Sequence, residues 1–339
     1  MQKVLCLLAV AMWFVPLTGT ARAADHVVIA QSNESLIWAP LYIARKLGYF
    51  QDEGIDIDVV VVKSGPAALT AVNAGSAQMA LGFPATPIEA VGKGFKLKII
   101  AELSNQFIAE LMLRKDVADK LRINDRTPIA QRIKALHGLT IATNGSGSAN
   151  DYLLERIIRD AGLKPDVDVT ITPIGGGSTI LAAFDQHRID GFVATPPTNA
   201  VAAHDHGATQ LIDFAAGQYK PIAGIIYIGL VAQDSWLKAN PQVAARTVKA
   251  LSRALALMRS DPGKAKAAVQ SFFTDTEPAL FDAAWSSQLA SFPKTARLNP
   301  ADISITMNFI AAMSETPVHV DPAQVFTNDY VTLSEKLKN

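Results

Sequence analysis

The amino-acid sequence predicts an α/β protein that is built from two lobes. Short runs rich in Val and Ile alternate with helical patterns, as a largely parallel sheet covered by helices requires. The alternation occurs once over about 26–101 and again over about 134–214. An apolar run at 222–231 follows the second occurrence, and we interpret it as a strand that returns to the first lobe.

Four strands and three helices are predicted for the first lobe, with polar loops, Gly or Pro between them. Pro40 lies near the start of the first helix, where its missing N–H costs nothing. The second helix opens at Gly65-Pro66. The predicted strands are 26–30, 55–62, 78–81 and 97–101, and the predicted helices are 40–47, 65–73 and 86–91.

The second lobe repeats this pattern, and a helical tail follows it. Gly162 and Pro165 end the long helix of this lobe, since Gly favours the position after a helix and Pro prevents its continuation. The predicted strands are 138–142, 167–172, 191–194 and 210–214, and the predicted helices are 149–161, 178–187 and 198–206. We assign 24–113 and 218–339 to the first lobe and 114–217 to the second. The chain is expected to cross between them near 111–116 and 214–222.

The first 23 residues have the pattern of a secretory signal peptide. Lys3 precedes an apolar run over 4–17, and Ala21-Arg22-Ala23 matches an A-x-A cleavage site. The run is shorter than the ~20 apolar residues of a spanning helix, which disfavours the alternative of a membrane anchor. We therefore expect a soluble periplasmic protein that begins at Ala24.

Cysteine content and charge exclude several other classes. Cys6 is the only cysteine and lies within the predicted signal, so the mature chain needs no disulfide. Without the signal, 29 basic residues face 31 acidic residues. Such a balance gives no reason to expect nucleic acid or an anionic membrane surface as a partner.

Candidate ligand-binding residues occupy the loops that follow the predicted strands, because ligands of open α/β lobes meet the carboxyl ends of the strands. Asn105 follows the fourth strand, Tyr227 lies on the return strand, and Thr195 follows the strand at 191–194. The full set is Ser35, Trp38, Gly65, Pro66, Phe83, Pro84, Asn105, Gly145, Ser146, Gly147, Ser148, Thr195 and Tyr227.

The Gly145–Ser148 loop carries the strongest chemical argument. Its glycines leave main-chain N–H groups accessible, Ser146 and Ser148 add hydroxyls, and the following helix adds a partial positive charge. An anionic or strongly polar head group could bind there without a lysine. The alternative is that Ser148 only caps its own helix.

Two aromatic residues are candidate walls for an apolar or aromatic part of the ligand. Trp38 and Phe83 could form flat contact surfaces, and each could equally pack between the lobes. Tyr227, on a strand, could instead belong to the core. Asn105 could donate to a polar ligand or cap the crossing segment.

Four segments resemble the nitrate, sulfonate and taurine binding proteins of ABC transporters, the NMT1/THI5-like group that also includes thiamine-precursor binders. They lie at 39–57, 71–80, 136–163 and 182–191, and in order and spacing they cover most of 26–215. The resemblance implies a type II periplasmic-binding-protein fold with the ligand between two lobes. It also implies a small-molecule solute and an ABC permease as partners of a monomer, with no cofactor.

Two departures from that group leave the identity of the solute open. Gln78 replaces the usual acid, and Thr195-Pro196-Pro197 stands where many sulfonate binders carry a Trp. No cationic residue falls within the candidate loops, which favours a monoanion or a neutral heterocycle over a dianion.

Signals of catalysis are weak. The histidines form no metal-ligand pattern beyond His204-x-His206, which is typical of a solvated helix end. Asp151 and Glu155, one helical turn apart, are expected to be exposed. Two alternatives to a transport protein stay open: an enzyme of thiamine-pyrimidine synthesis on the same fold, and a periplasmic sensory module.

Overall fold

The computed structural model describes residues 24–313 and 320–337. The predicted signal peptide, with Cys6 and the proposed cleavage site, lies outside these residues. None of the helices in the described ranges is both long and apolar enough to cross a membrane.

The first sheet has five strands in the order β2-β1-β3-β10-β4. Strands β1 and β2 run parallel and pair residue by residue over eight positions. The return strand β10 is antiparallel to β3 and β4, as expected for a chain that re-enters from the other lobe. The strands are β1 (Asp25–Ser32), β2 (Ile55–Val62), β3 (Met79–Gly82), β4 (Leu97–Ser104) and β10 (Ile228–Gln233).

The second sheet also has five strands, in the order β7-β6-β8-β5-β9. Here β5 is the antiparallel strand, and it pairs with both β8 and β9. The two sheets therefore share one topology, which is the type II periplasmic-binding-protein arrangement. The strands are β5 (Glu110–Arg114), β6 (Thr140–Thr143), β7 (Thr170–Pro173), β8 (Gly191–Ala194) and β9 (Ala208–Asp213).

The position of β5 corrects the predicted first crossing. The chain passes between the sheets at 105–109 rather than near 111–116, and residues 110–113, which the prediction assigned to the first lobe, pair within the second sheet. The return crossing occupies 214–227. Gln106 Nε2 donates a hydrogen bond of 2.6 Å to the carbonyl oxygen of Phe214, so the two crossings are joined to each other.

Helices cover the faces of both sheets. Those of the first lobe are α1 (Ala39–Lys46), α2 (Tyr49–Asp52), α3 (Gly65–Asn73) and α4 (Ala85–Gly92), and those of the second are α5 (Lys115–Leu121), α6 (Ile129–Lys134), α7 (Ala149–Asp160), α8 (Gly177–Asp185) and α9 (Thr198–Asp205). The tail forms α10 (Asp234–Ala239), α11 (Pro241–Ser260), α12 (Pro262–Gln270), α13 (Pro278–Gln288), α14 (Pro300–Met313), α15 (Pro322–Val325) and α16 (Asp329–Lys336).

The helical tail contacts both lobes. Helix α11 buries an apolar face against α1 of the first lobe and against the tail helices α12 and α16. Helix α13 packs on α9 and α14 packs on α7, both of which belong to the second lobe. The assignment of the whole tail to the first lobe is therefore too simple, since α13 and α14 also lie against the second.

Local sequence signals set the helix ends nearest the cleft. Ser64 caps α3 by accepting a hydrogen bond from the Ala67 N–H at 3.3 Å, and Pro66 lies in the first turn of that helix. Ser148 caps α7 in the same way. Gly162 follows α7 with a φ of +78°, the left-handed conformation that its predicted place after the helix requires.

Candidate ligand-binding cleft

Loops from both lobes converge on one cleft between the sheets. Its empty volume is about 480 Å³, open solvent at the mouth included. Seven predicted residues line it: Trp38, Gly65, Phe83, Gly147, Ser148, Thr195 and Tyr227. The residues lining the cleft that sequence reasoning missed are Ser32, Asn33, Ile37, Gly82, Thr86, Asn144, Ala149, Asn150 and Ile228.

Six predicted residues are not among those that line the cleft: Ser35, Pro66, Pro84, Asn105, Gly145 and Ser146. Ser146 is exposed. Asn105 lies on the first crossing, where its main-chain N–H donates to the carbonyl oxygen of Ser291 at 3.1 Å. Pro84 precedes α4. The other three, Ser35, Pro66 and Gly145, lie where the two lobes meet.

Ser35 belongs to a contact between the lobes. Its hydroxyl donates to the carbonyl oxygen of Pro196 at 2.9 Å, and the Leu36 N–H donates to the same carbonyl at 3.2 Å. A serine hydroxyl has one proton. The 2.8 Å hydrogen bond between Ser35 Oγ and Thr195 Oγ1 is therefore donated by Thr195. Ser35 thus acts on the cleft by holding Thr195 at its wall.

Two glycines of the second-lobe loop lie against the first lobe. A Cβ added at Gly145 would be 3.7 Å from Ser64 Cβ, and one added at Gly147 would be 3.6 Å from Pro66 Cγ. Gly147 has a φ of +68°, which favours glycine at that position. These loops therefore meet across the mouth of the cleft.

The Gly145–Ser148 loop is held by a carboxylate of its own helix. Ser148 Oγ accepts from the Asp151 N–H at 3.2 Å, so the capping role is present. Asp151 Oδ2 accepts from the Gly147 N–H at 2.9 Å, and its Oδ1 accepts from Thr143 Oγ1 at 3.1 Å. One of the main-chain donors that we expected to face an anion is therefore already paired within the protein.

The expectation that Asp151 is exposed is wrong. Its side chain folds back onto the loop, and the residue is 7% exposed. Burial raises the pKa of the Asp151 carboxyl above its ordinary range, while the hydrogen bond from Gly147 acts in the opposite direction. Glu155, one turn further along α7, is partly exposed and pairs with Arg159 at 3.2 Å.

Aromatic rings form one side of the cleft. Phe83 lies 5.4–6.5 Å, between ring centroids, from the rings of Phe107, Tyr152, Tyr227 and Phe309. The sequence left open whether Phe83 faces the ligand or packs between the lobes. The structure shows both, because Phe83 contacts rings of both lobes and also lines the cleft.

Trp38 and Tyr227, which also line the cleft, are almost entirely buried. The Trp38 indole N–H donates to the carbonyl oxygen of Ser32 at 3.1 Å. The Tyr227 hydroxyl has no hydrogen-bond partner in the described part of the chain, and burial raises its pKa, so it is a protonated phenol at neutral pH. It is therefore able to donate to a ligand.

Three asparagines supply amide groups that sequence reasoning missed. Asn144 Nδ2 donates to the carbonyl oxygen of Gly175 at 3.3 Å, and Asn150 Nδ2 donates to Asn144 Oδ1 and to the carbonyl oxygen of Val193. The Oδ1 atoms of Asn33 and Asn150 are buried without a partner among the described residues. Asn33 and Asn144 follow β1 and β6, so the rule that located the other loops would have identified them.

The lining of the cleft carries polar groups but no charged side chain. Among the described residues that line it there is no Lys, Arg, His, Asp or Glu, and those residues contain no cluster of acids, His or Cys that could hold a metal ion. Its hydrogen-bonding groups are hydroxyls, side-chain amides and the main chain at the start of α7. These groups offer neutral hydrogen bonds and ring contacts.

A family model described as NMT1/THI5 like matches residues 37–265. The chain belongs to this family. YtlA of Bacillus subtilis, whose name marks it as a candidate binding protein, is 22% identical over 310 residues, which cover 89% of this chain and 88% of YtlA. A yeast relative, the 4-amino-5-hydroxymethyl-2-methylpyrimidine phosphate synthase THI11 of Saccharomyces cerevisiae, is 20% identical over 234 residues, 67% of this chain and 64% of THI11.

Solved structures have the same fold as this member of the NMT1/THI5-like family. A Bordetella bronchiseptica protein superposes with a TM-score of 0.80 at 22% identity, over 93% of this chain and 98% of that one. The alkanesulfonate-binding protein SsuA of Xanthomonas axonopodis superposes with a TM-score of 0.67 at 18% identity, over 85% of this chain and 92% of SsuA. The predicted periplasmic-binding-protein fold is confirmed.

Proposed function

We propose that this protein captures a small polar organic solute between its lobes and delivers it to an ABC permease. The observation that carries the proposal is the cleft itself, which residues of both lobes line, with aromatic rings and with the unpaired amide oxygens of Asn33 and Asn150. Membership of the family, and the binding proteins among its structural neighbours, support the same role. Export through the predicted signal peptide would place the monomer in the periplasm.

The mechanism we propose is closure about the two crossings. Contacts such as those between Ser35 and Thr195 join the lobes only when these lie together. A solute that touches both walls binds this closed arrangement more tightly than an open one, so its binding shifts the population toward closure. The permease would then recognise the closed form.

An enzyme on the same fold is the main alternative, since THI11 is named as a synthase. The chemistry of the lining disfavours it. In the described ranges the cleft presents no cysteine, histidine, lysine or carboxylate side chain that would act as nucleophile or general base. We therefore propose binding without turnover.

Calorimetry on the mature protein tests this function. We would screen sulfonates, nitrate, aromatic acids, amides and pyrimidines by thermal shift, and then titrate each hit. A ligand at ~100 times its dissociation constant stabilises the protein by about 2.7 kcal/mol. Stoichiometric binding with the compound recovered unchanged supports the proposal, and conversion of the compound to a product contradicts it.

A further inference from the structure

We infer that Asn150 selects for a solute that donates a hydrogen bond, so that the ligand is an uncharged amide-type molecule, such as a carboxamide, rather than an anion. The inference rests on the proposed solute-binding function and specifies its ligand class. It comes from the orientation of one buried side chain and from the charges around it.

The orientation of the Asn150 amide is fixed by its neighbours. Its Nδ2 donates to the carbonyl oxygen of Val193, a group that can only accept. The other Nδ2 proton goes to Asn144 Oδ1, and Asn144 is itself oriented because its Nδ2 donates to the carbonyl oxygen of Gly175. A flipped Asn150 would place its oxygen against the Val193 oxygen. The unpaired atom is therefore Oδ1, an acceptor.

This acceptor is buried, and the residue that carries it lines the cleft. Asn150 is 3% exposed, it lines the cleft, and its Oδ1 has no donor within the described residues. A buried acceptor without a donor is costly, so a ligand N–H or O–H that reaches it gains more than it would in water. A carboxylate or sulfonate has no proton to offer at neutral pH and would place oxygen against oxygen.

Main-chain donors at the start of the same helix accompany this acceptor. The main-chain N–H groups of Ala149 and Asn150 begin α7, line the cleft, and have no acceptor in the described part of the chain. A ligand C=O can accept from them while its N–H donates to Asn150 Oδ1. These N–H groups and the partial positive charge of the helix start also disfavour an ammonium group in the same place.

The charges near α7 disfavour an anion there. Asp151, the next residue, accepts from the Gly147 N–H and from Thr143 at its two oxygens, so the start of the helix already faces a carboxylate. No Lys, Arg or His among the described lining residues offsets a second negative charge. An uncharged ligand avoids this repulsion.

Probe pairs of matched shape test the inference on the unaltered protein. We would titrate benzamide against benzoate and benzenesulfonamide against benzenesulfonate, with benzylamine as a cation. The ring of each probe suits the wall formed by Trp38, Phe83 and Tyr227. We expect the amide of each pair to bind tighter than its anion by a factor of about ten or more, and tighter than the amine.

A pair of variants then assigns the preference to Asn150. Asn150→Leu removes the acceptor, and we expect it to abolish the preference for amide over anion. Asn199→Leu is the matched control, because Asn199 is also a buried asparagine at the start of a second-lobe helix, with an unpaired amide atom, but does not line the cleft. The control should keep the preference.

The outcomes separate this inference from the proposed function. If the anion of each pair binds tighter, the inference is wrong while solute binding stands. If Asn150→Leu folds, as judged by circular dichroism, and keeps the amide preference, the assignment to Asn150 is wrong. If no probe from either pair binds while another solute of the screen does, the inference is wrong and solute binding stands. Binding of no compound in the whole screen contradicts both proposals.

Discussion

Ser35 in the first lobe and Thr195 in the second share a hydrogen bond of 2.8 Å between their hydroxyl oxygens, and both residues are buried. Ser35 also donates to the Pro196 carbonyl. Because the two residues belong to different lobes, these contacts form only when the lobes lie together. They therefore stabilise the closed arrangement and make no contribution to an open one.

Ser35→Ala is expected to weaken solute binding without unfolding the protein. The variant loses two cross-lobe hydrogen bonds, and a lost buried bond costs about 1 kcal/mol or more, so affinity should fall roughly tenfold. Calorimetry with a confirmed ligand measures the change. Thr195→Ser, which keeps the hydroxyl, should bind nearly as well as the parent. Equal affinity of Ser35→Ala and the parent would show that closure does not use this contact.

Glu102 should make the stability of the fold depend on pH. This β4 residue is 1% exposed, and burial, followed by the charge of nearby Asp302, raises the pKa of its carboxyl from 4.5 to about 8. The folded state thus binds a proton more tightly than the unfolded chain. Stability should fall as the pH rises from about 4.5 to about 8 and should level off outside that window.

Glu102→Gln removes most of this dependence, because the amide stays neutral. We expect the variant to gain roughly 3–5 kcal/mol over the parent above pH 8 and nothing below pH 4.5. Burial also raises the pKa of the Asp302 carboxyl, so the variant should keep part of the pH dependence of stability. Urea denaturation at several pH values measures the free energy of unfolding. Glu34→Gln, at an exposed position, is the control. If the free energy of unfolding depends on pH equally in Glu102→Gln and in the control, Glu102 is not the source of the pH dependence.

Gly147→Ala should destabilise the protein even without ligand. Its φ of +68° is left-handed, and a side chain there costs roughly 1–2 kcal/mol, with Pro66 Cγ 3.6 Å from the new methyl group. Gly176→Ala is the matched control, since Gly176 has a φ of −75° and no neighbour within 4 Å of the added Cβ. Denaturant unfolding should show a loss for Gly147→Ala alone; equal midpoints for the two variants would contradict the prediction.

Processing of the exported chain remains a prediction from the sequence. Cleavage after Ala21-Arg22-Ala23 would leave Ala24 as the first residue and would remove Cys6. Edman sequencing of protein from the periplasmic fraction, together with a thiol assay, checks both points. A start upstream of Ala24, or a lipid on Cys6, would argue for membrane attachment instead.

The fold was more predictable from the sequence than the site. Strand β8 has the bounds that were predicted from its apolar run, because a buried strand is recognisable from its own residues. Strand β5 was missed, since its Glu-Leu-Met-Leu-Arg sequence directly follows the crossing and its identity depends on pairing with β8 and β9. Strand pairing at long range leaves little trace in a single sequence.

Loops that follow strands located six of the sixteen residues that line the cleft, because the carboxyl ends of parallel strands meet at one edge. The same rule could not identify the roles of Asn150 and Asp151. Both lie in the first turn of α7, and their roles come from tertiary contacts with Val193 and with the Gly147 N–H. The spacing of Asp151 and Glu155 on a helix indicated a solvated face, whereas the loop before the helix covers Asp151.

An engineered disulfide between Ser64 and Gly145 should lock the lobes together. The Cβ of Ser64 and a Cβ built at Gly145 are 3.7 Å apart, which is within the range that disulfides need, and the predicted mature chain has no other cysteine to compete. Ser64→Cys combined with Gly145→Cys should oxidise to a bond that joins the mouth of the cleft. Because ligand favours closure, a confirmed ligand should speed the oxidation.

Non-reducing gels and thiol titration follow the bond, and calorimetry follows its effect. The oxidised double variant should neither take up nor release ligand at a measurable rate, and dithiothreitol should restore exchange, because opening is the route to the cleft. Each single variant should exchange ligand as the parent does. A fully oxidised protein that still exchanges ligand at the parental rate would mean that the solute enters without separation of these two loops, and closure about the crossings would then be wrong.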